Sequence, residues 1–497
     1  MNRKVLTVCL AFSTIGMMAQ TPAGNAFRID YAEYQATGAI KLLNAGNNAI
    51  LNPGDQLTVM CWIQLRDIGD NQKIIGKFNL DNTGFILGVD QGRVYSEVWN
   101  PTHYETLDGL MNPTAQHWHH IAMTYERGVA IKAFMNGIEV SSDPVSNAPI
   151  SSSTNPLIIG VSSWTTMSNF QTFGNIDEIA IYNVALTEAE IKSRIFRSIS
   201  GSETGLIAGY DFNVTSGTSV PDLSGNGNTA NGSATFIGTE WVTSKAPIAD
   251  DNTEVTLELD AVWNGKSFMD PRFTSTTHGL NLIAFGLDTT DYAVFGHNGG
   301  IGITADDIPT NAPAGFMRTQ RIWPLTSLGG ASMDMVVNIA AACAGGTPLD
   351  ITQPAANYTL LWRPAGSTVF AAVANGSSFT NGVVTFDDHV PASGAYCIGV
   401  GNSAIPIGIS EFENSVFVRV EPNPNYGQFF LNFESSEVGL AAVEIMDATG
   451  KIVLQKTIRV NGSAVREPID LGAVAKGIYM VKLTISGTTY DQRVVVQ

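Results

Sequence analysis

Trp118-His-His-Ile-Ala-Met-Thr-Tyr125, followed at once by Ala130-Ile-Lys-Ala-Phe-Met-Asn-Gly-Ile-Glu-Val140, decides what kind of molecule this chain forms. Both runs are rich in β-branched and aromatic residues. The second is broken by Asn136-Gly137, which supplies the positive φ angles of a type I′ turn, so it reads as a hairpin and not a helix. The same character extends outward on both sides. Leu57-Thr-Val-Met-Cys-Trp-Ile63 reads as a buried strand, Lys73-Ile-Ile-Gly-Lys77 leads to Phe85-Ile-Leu-Gly-Val89, and Arg93-Val-Tyr-Ser-Glu-Val-Trp99 alternates cleanly. Pro156-Leu-Ile-Ile-Gly160 and Gly174-Asn-Ile-Asp-Glu-Ile-Ala-Ile-Tyr182 continue the series. One short helix is expected after Thr187, where acids fill the first turn and Glu190 stands three residues beyond the cap.

Taken in order, Trp118 to Tyr125, Phe134 to Val140, and Ile176-Asp-Glu-Ile-Ala-Ile-Tyr-Asn-Val-Ala-Leu-Thr-Glu-Ala-Glu-Ile191 resemble the laminin G-like, concanavalin A-type jelly roll. The expected domain spans 24–248. Gly205-Leu-Ile-Ala-Gly-Tyr-Asp-Phe212 and Asp222-Leu-Ser-Gly-Asn-Gly-Asn228 are familiar from the same proteins, either completing the sandwich or forming an appended strand pair. Pro247-Ile-Ala-Asp-Asp-Asn252 is a polar linker to a second segment, 253–404, whose strands are spaced as in a β-sandwich. Its Gly-His-Asn-Gly and Arg-Ile-Trp pieces are similar to an uncharacterised sandwich of exported bacterial proteins, which implies no activity.

The closing segment, 415–497, reads as a small antiparallel sandwich. Val418-Arg-Val-Glu-Pro-Asn-Pro-Asn-Tyr-Gly427, Val443-Glu-Ile-Met-Asp-Ala-Thr-Gly-Lys451 and Lys476-Gly-Ile-Tyr-Met-Val-Lys482 resemble, in that order, the type A sorting domain of bacterial type IX secretion. The resemblance implies an Ig-like fold, passage through the type IX machinery, cleavage by its sorting peptidase, and a product that is extracellular or attached to the cell surface. Residues 1–19 agree. A basic Met1-Asn-Arg-Lys4 and an apolar run to Met18 read as a secretory signal peptide. The fold class is therefore all-β in three sandwiches.

The chain has 27 basic and 45 acidic residues. Removing the signal takes away Arg3 and Lys4, leaving a net charge of −20. Nucleic acid and anionic lipid demand clustered Lys and Arg and are excluded as partners. No further apolar run approaches the about 20 residues of a transmembrane helix, so no transmembrane segment is expected. Past the signal, Cys61, Cys343 and Cys397 remain. Cys61 reads as a small buried apolar residue. Cys343 and Cys397 fall in one segment and are a candidate disulfide in an oxidising compartment.

Jelly rolls host both lectins and glycosidases, so the residues must decide. Retaining glycosidases hold two carboxyls about 5 Å apart, which jelly rolls supply with Glu-x-Asp-x-x-Glu or Glu-x-Asp-x-Glu on one strand. Here Asn175 takes the first position, an apolar residue the last, and Asp177 and Glu178 alternate in face. The catalytic pair is absent from that strand, and no catalytic residue is assigned. His117, His119 and His120 alternate, so only two can converge, and they read as framework. The laminin G-like resemblance implies a structural calcium ion with Asp177 among its ligands, although the stretch Leu43-Asn-Ala-Gly-Asn-Asn48 carries amides where the family has acids. Sugars stack on aromatic rings while Asn, His and Thr bond their hydroxyls, which makes Trp99, His103, Tyr104 and Trp164 the candidate ligand-binding residues. The alternative for Trp99 is inward packing at the end of a core strand. Asp288-Thr-Thr290 fits the acidic-Thr pattern glycosylated in some type IX secreting bacteria, with Thr289 as acceptor. The leading expectation is a secreted, non-catalytic binding or adhesion protein that recognises a glycan or host glycoprotein. Its competitors are a structural surface component without soluble ligand and a glycoside hydrolase.

Overall fold

The computed structural model describes residues 23–407 and 418–496, apart from short internal segments at 70, 79–81, 107–114, 161–170, 250–255, 265–277, 285–286, 422–424, 435–437, 448–450, 462–463, 473 and 486–487. Strands take 48% of the chain and helices 6%, so the all-β expectation holds. The chain divides into two compact units, residues 19–407 and residues 408–497.

The larger unit begins with a jelly roll of two sheets. One runs, in hydrogen-bonded order, Ile138–Pro144, Ala130–Met135, Trp118–Glu126, Gln56–Leu65, Gly174–Tyr182, Asn25–Ile29 and Trp241–Thr243, with Leu206–Tyr210 also paired to Gly174–Tyr182. The other runs Ser219–Val220, Ala230–Gly232, Leu43–Asn44, Ile158–Ile159, Gln72–Gly76, Gly84–Asp90, Arg93–Trp99 and His103–Thr106. The segment after residue 205 thus gives strands to both sheets and is built into the sandwich. The hairpin turn is as its residues dictate, with φ of +50° at Asn136 and +77° at Gly137. Asn136 is also buried, and its Oδ1 accepts the His120 N–H at 3.0 Å, which ties the turn to the next strand. The Glu188–Lys192 helix carries the expected capping box. Thr187 N–H donates to Glu190 Oε2 at 2.8 Å, and Glu190 N–H donates to Thr187 Oγ1 at 3.3 Å.

The second sandwich packs an eight-stranded sheet, which includes Leu257–Trp263, Tyr292–His297, Trp323–Leu328, Gly394–Val400 and Tyr358–Arg363, against Leu280–Ala284, Met333–Asn338, Val383–His389 and Ser378–Thr380. Here the cysteine expectation is corrected. Cys343 and Cys397 are both buried and free. Tyr396 and Ile398 face the core that holds Cys343, so Cys397 between them points to the opposite face, into a separate cluster with Phe316, Leu361 and Phe370. No disulfide forms between side chains on opposite faces of one sheet.

The two sandwiches of this unit share an apolar core through an aromatic seam. Trp62 points outward from the first jelly-roll sheet and donates its Nε1–H to Ile195 O at 2.7 Å. Trp263, from the second sandwich, lies edge-on to both Trp62 and Phe196, each with centroids 5.7 Å apart, and its Nε1–H reaches Trp118 O at 2.9 Å. His120 packs edge-on to Trp62. Burial pushes its imidazole down to about 3, so it stays neutral and acts as framework.

The other unit is a sandwich of Val418–Glu421, Gln428–Glu434 and Ala464–Asp470 on Ile452–Asn461, Val438–Asp447, Gly477–Ile485 and Thr488–Val496. Its core is Phe429, Leu431, Val443, Ile445, Val481 and Leu483 with their neighbours.

Truncating an aromatic ring in a closed seam loses its transfer energy and leaves a cavity, about 3–5 kcal/mol for Trp→Ala. Trp263→Ala is expected to destabilise residues 23–407 by about that amount, read from the urea midpoint at constant slope. A change below about 1 kcal/mol would mean the two sandwiches are held together elsewhere.

Candidate functional site

The jelly roll has a sizeable opening at the end of its strands. Gln56 begins one central strand, Glu126 ends the next, and Asn183 follows a third. The backbones around them are stitched together. Arg127 N–H donates to Asp55 O at 2.9 Å, Gly128 N–H to Ser146 O at 3.1 Å, and Ile150 N–H to Gly54 O at 2.7 Å. The result is an open cavity of 680 Å³ lined by Pro53 to Gln56, Glu126, Arg127, Asn147 and Asn183. Arg127 spans it, donating to Asp55 Oδ1 and Asn147 Oδ1 at 3.0 Å each, while Gln56 Nε2 donates to Glu126 Oε1 at 3.3 Å. Asp55 is 69% exposed at its side chain. Carboxylates, a guanidinium and amides therefore face solvent within one depression, able to accept and to donate.

Three of the four sequence-derived ligand residues, Trp99, His103 and Tyr104, lie elsewhere. Trp99 and His103 are cross-strand partners on the second sheet. Trp99 is only 7% exposed and stacks on Phe78 at 4.2 Å with the rings 10° from parallel. Tyr104 opposes Val98, so it lies on the other face of the sheet, where its hydroxyl accepts the Ser146 N–H at 2.9 Å. Trp164 lies outside the described residues. On the Trp99 face the Lys73 ammonium sits 2.9 Å from the Tyr95 ring centroid, and the Tyr95 hydroxyl donates to Glu97. Glu97 is the register partner of Glu105.

Asp177 sits at a β-bulge, where Glu178 takes a φ of +48° and two residues oppose one on the neighbouring strand. The bulge buries both carboxyls completely. Asp177 Oδ1 accepts the Glu178 N–H at 2.8 Å, and Glu178 Oε2 accepts the Ile199 N–H at 2.9 Å. Calcium takes six to eight oxygens, and no group of three acidic, histidine or cysteine side chains arranged for a metal exists among the described residues. Two carboxyls, each already serving a backbone N–H, match that demand poorly. Burial, and then the neighbouring Glu178 charge, holds Asp177 well above the usual carboxylate range. Burial pushes Glu178 up to about 8.

In the second sandwich, His278 Nε2 and His297 Nε2 lie 3.9 and 3.4 Å from the same Glu258 oxygen. The Gly299 N–H donates to His297 Nδ1 at 3.0 Å, which leaves the proton of the neutral ring on Nε2. The Nε2–H of His297 thereby faces Glu258 Oε2 at 3.4 Å, and no metal-holding group of acidic, histidine or cysteine side chains forms among the described residues. Thr289 is exposed on a turn in which Asp288 Oδ1 accepts from Thr290 N–H at 2.6 Å and Thr290 Oγ1 at 2.7 Å.

Residues 36–192 match the model of the concanavalin A-like lectin/glucanases superfamily, and residues 419–497 match the secretion system C-terminal sorting domain. The chain carries a concanavalin A-like domain and a type IX sorting domain. The sorting domain marks the protein for secretion across the outer membrane, to the cell surface or the extracellular space, and for interaction with the type IX machinery. No helix of the described residues is long and apolar enough to cross a membrane. No curated protein matches the chain. Among solved structures, a putative carbohydrate binding protein from Bacteroides ovatus is similar at 17% identity, covering 46% of this chain and 62% of that one, with a TM-score of 0.35. This chain therefore spans less than two thirds of that protein. The Ruminococcus gnavus IT-sialidase CBM40 bound to alpha2,3 sialyllactose matches at 15% identity over 34% of this chain and 91% of that one, TM-score 0.24. Domain 4 of AbnA, a GH43 extracellular arabinanase from Geobacillus stearothermophilus, matches at 21% identity over 28% and 65%, TM-score 0.24.

The buried pair makes a pH prediction. Folded, Asp177 and Glu178 hold their protons past the point where an unfolded carboxyl, with a pKa of about 4, has lost its own. From about pH 4.5 toward 8 the unfolded state binds fewer protons, so stability falls as pH rises and is fully present only below that window. The expected loss is on the order of a few kcal/mol. Glu178→Gln should flatten the slope in urea unfolding measured from pH 5 to 8, and an unchanged slope would refute the neutral-pair account.

Proposed function

We propose that this protein is a secreted binding and adhesion protein without catalytic activity, and that its jelly roll recognises glycans or host glycoproteins at the strand-end cavity. The observation that carries the reading is the cavity's lining. A sugar hydroxyl both donates and accepts, so a recognition site needs both partners side by side. Asp55 and Glu126 supply acceptors, while Arg127, Gln56, Asn147 and Asn183 supply donors. The absence of an aromatic platform from that lining suits edge-on contact with hydroxyls and an affinity built from several copies of the ligand. Structural calcium through Asp177 is tested in the same experiment by removing the ion.

A second reading as a glycoside hydrolase has one observation in its favour, the register pairing of Glu97 with Glu105 on adjacent strands. Glu97 is only 5% exposed, which opposes access by a polysaccharide. A structural surface component is the reading left if no ligand exists. Thr289, exposed on its turn, is the proposed O-glycosylation acceptor.

A glycan and matrix-protein array probed with residues 23–407, in calcium and again in chelator, tests the proposal. Selective binding is expected. Arg127→Ala and Asp55→Asn should each weaken it tenfold or more, about 1.4 kcal/mol, with Trp99→Ala as the comparison. Binding that resists both cavity variants would move the site. Silence on every spot would favour the structural reading, and release of reducing ends lost in Glu97→Gln would favour the hydrolase. For Thr289, the intact mass of protein from a type IX secreting host should exceed the sequence mass, and Thr289→Ala should remove the excess.

A further inference from the structure

Three stretches far apart in sequence meet around one buried ammonium in the jelly roll. Lys77 follows the strand Gln72–Gly76 and is fully buried. Its strand lies beside Ile158–Ile159, which lies beside Leu43–Asn44. From there Lys77 Nζ donates to Ser153 O at 2.7 Å, to Asn155 O at 2.6 Å, and to Asn47 Oδ1. Three acceptors match the three N–H of an ammonium, whereas a neutral amine has one fewer and would turn its lone pair on an oxygen. The stretches are also tied to one another. Asn47 Nδ2 donates to Thr154 O at 2.6 Å, and Ser153 N–H donates to Asn52 Oδ1 at 3.0 Å. Ala45 N–H reaches Leu157 O and Leu157 N–H reaches Gly46 O, at 2.9 Å each.

Backbone and amide carbonyls are among the oxygens that calcium takes, and here they hold an ammonium. The remaining amides of Leu43–Asn48, the stretch in which acids were expected, are committed in the same way. Asn44 Oδ1 accepts the Gly46 N–H at 2.8 Å, and Asn48 Oδ1 accepts the Ile50 N–H at 3.3 Å. All three amide oxygens of the stretch therefore accept from an N–H of this chain. Asp177 Oδ1, the other expected ligand, accepts the Glu178 N–H. The residues that would hold the ion disagree with it twice: they lack its carboxylates, and a side chain of the protein brings positive charge to their oxygens.

We propose that the Lys77 ammonium is this jelly roll's own cation, standing in for the calcium ion that the laminin G-like resemblance implies, and that the fold is independent of calcium. A bound ion stabilises a protein only as far as its free concentration exceeds its dissociation constant. A tethered charge is delivered by folding itself, so the loops at Asn47 and Ser153 hold their places in calcium-poor and calcium-rich media alike. The burial of the charge is tolerated because its hydrogen bonds are made.

The experiment uses the purified full chain, titrated with calcium in a calorimeter and melted in excess calcium and in chelator. No tightly bound calcium is expected, and the two melting midpoints should agree. A tightly bound calcium ion, or a midpoint raised by calcium, overturns the proposal. Lys77→Met keeps the length of the side chain but leaves the three oxygens unpaired, and should lower the midpoint by about 3 °C or more. A Lys77→Met chain that melts as wild type also overturns it. Lys77→Ser opens room beside the oxygens. Methylammonium should raise the midpoint of that variant, while tetramethylammonium, which has the same charge and no N–H, should not, and neither should act on Lys77→Met. Equal effects of the two ions on Lys77→Ser would show that the oxygens do not select an ammonium and would overturn the assignment. If Lys77→Ser does not fold, the calcium titration and Lys77→Met decide. No sugar enters the measurement, so its outcome is independent of the glycan reading.

Discussion

Everything in the larger unit depends on the outer face of the first jelly-roll sheet being covered. In a two-layer sandwich that face would meet water and carry polar residues at alternate positions. The strand Gln56–Leu65 does not alternate. Every residue from Leu57 to Ile63 is buried. Trp62 is the sharpest instance, because an indole buried on that side needs both apolar contact and a partner for its N–H. Ile195 O supplies the second, while Phe196 and Trp263 supply the first. Trp263 is subject to the same demand and meets it with Trp118 O. Two indoles thereby fasten the loop after the helix and the second sandwich to one sheet. The stretch that reads in the sequence as a polar linker joins parts that share a core.

Strand positions and the fold of each part were legible in the sequence because alternation and turn chemistry are local. Asn136-Gly137 demands its turn wherever the hairpin ends up, and Thr187 with Glu190 demands a helix start. The register between distant strands is not local. Nothing in residues 205–243 says that they supply strands to two different sheets, since each strand is only two to five residues long and takes its place from the partner it meets. The cysteines illustrate the same limit. Cys343 and Cys397 share a sandwich, yet side-chain direction separated them, and direction follows from the pairing of Gly394–Val400 with three neighbouring strands.

The candidate cavity was not legible for a related reason. Its lining comes from four separated stretches, around residues 54, 127, 147 and 183, and no two carry a motif. Aromatic residues attract notice because stacking on sugars has a residue signature, whereas hydrogen bonding to hydroxyls is open to any amide or acid. Trp99 was singled out on that signature. Its ring is instead occupied by Phe78, and Tyr104, five residues on, serves the opposite face of the sheet.

Acidic residues occupy two regimes in this jelly roll, and the difference explains why the Ile-Asp-Glu pattern is ambiguous. Asp55 and Glu126 stand in water beside Arg127 and Gln56, where a charge costs little and a neighbouring cation is worth little. Asp177 and Glu178 are removed from water, where a bare charge is expensive enough that the proton is kept. A metal ion and a bound proton are alternative answers to that cost. The choice between them depends on how many further oxygens the surrounding loops contribute, and those loops are remote in sequence. Here two of the nearby contributions are backbone N–H groups, from Glu178 itself and from Ile199, which cannot serve a cation, and the others include the hydroxyls of Ser244 and Ser198. Asp177 braces the bulge and Glu178 clasps the Ile199 loop to the sheet, and it is the character of the groups around the two acids, not the pair, that decides between proton and ion.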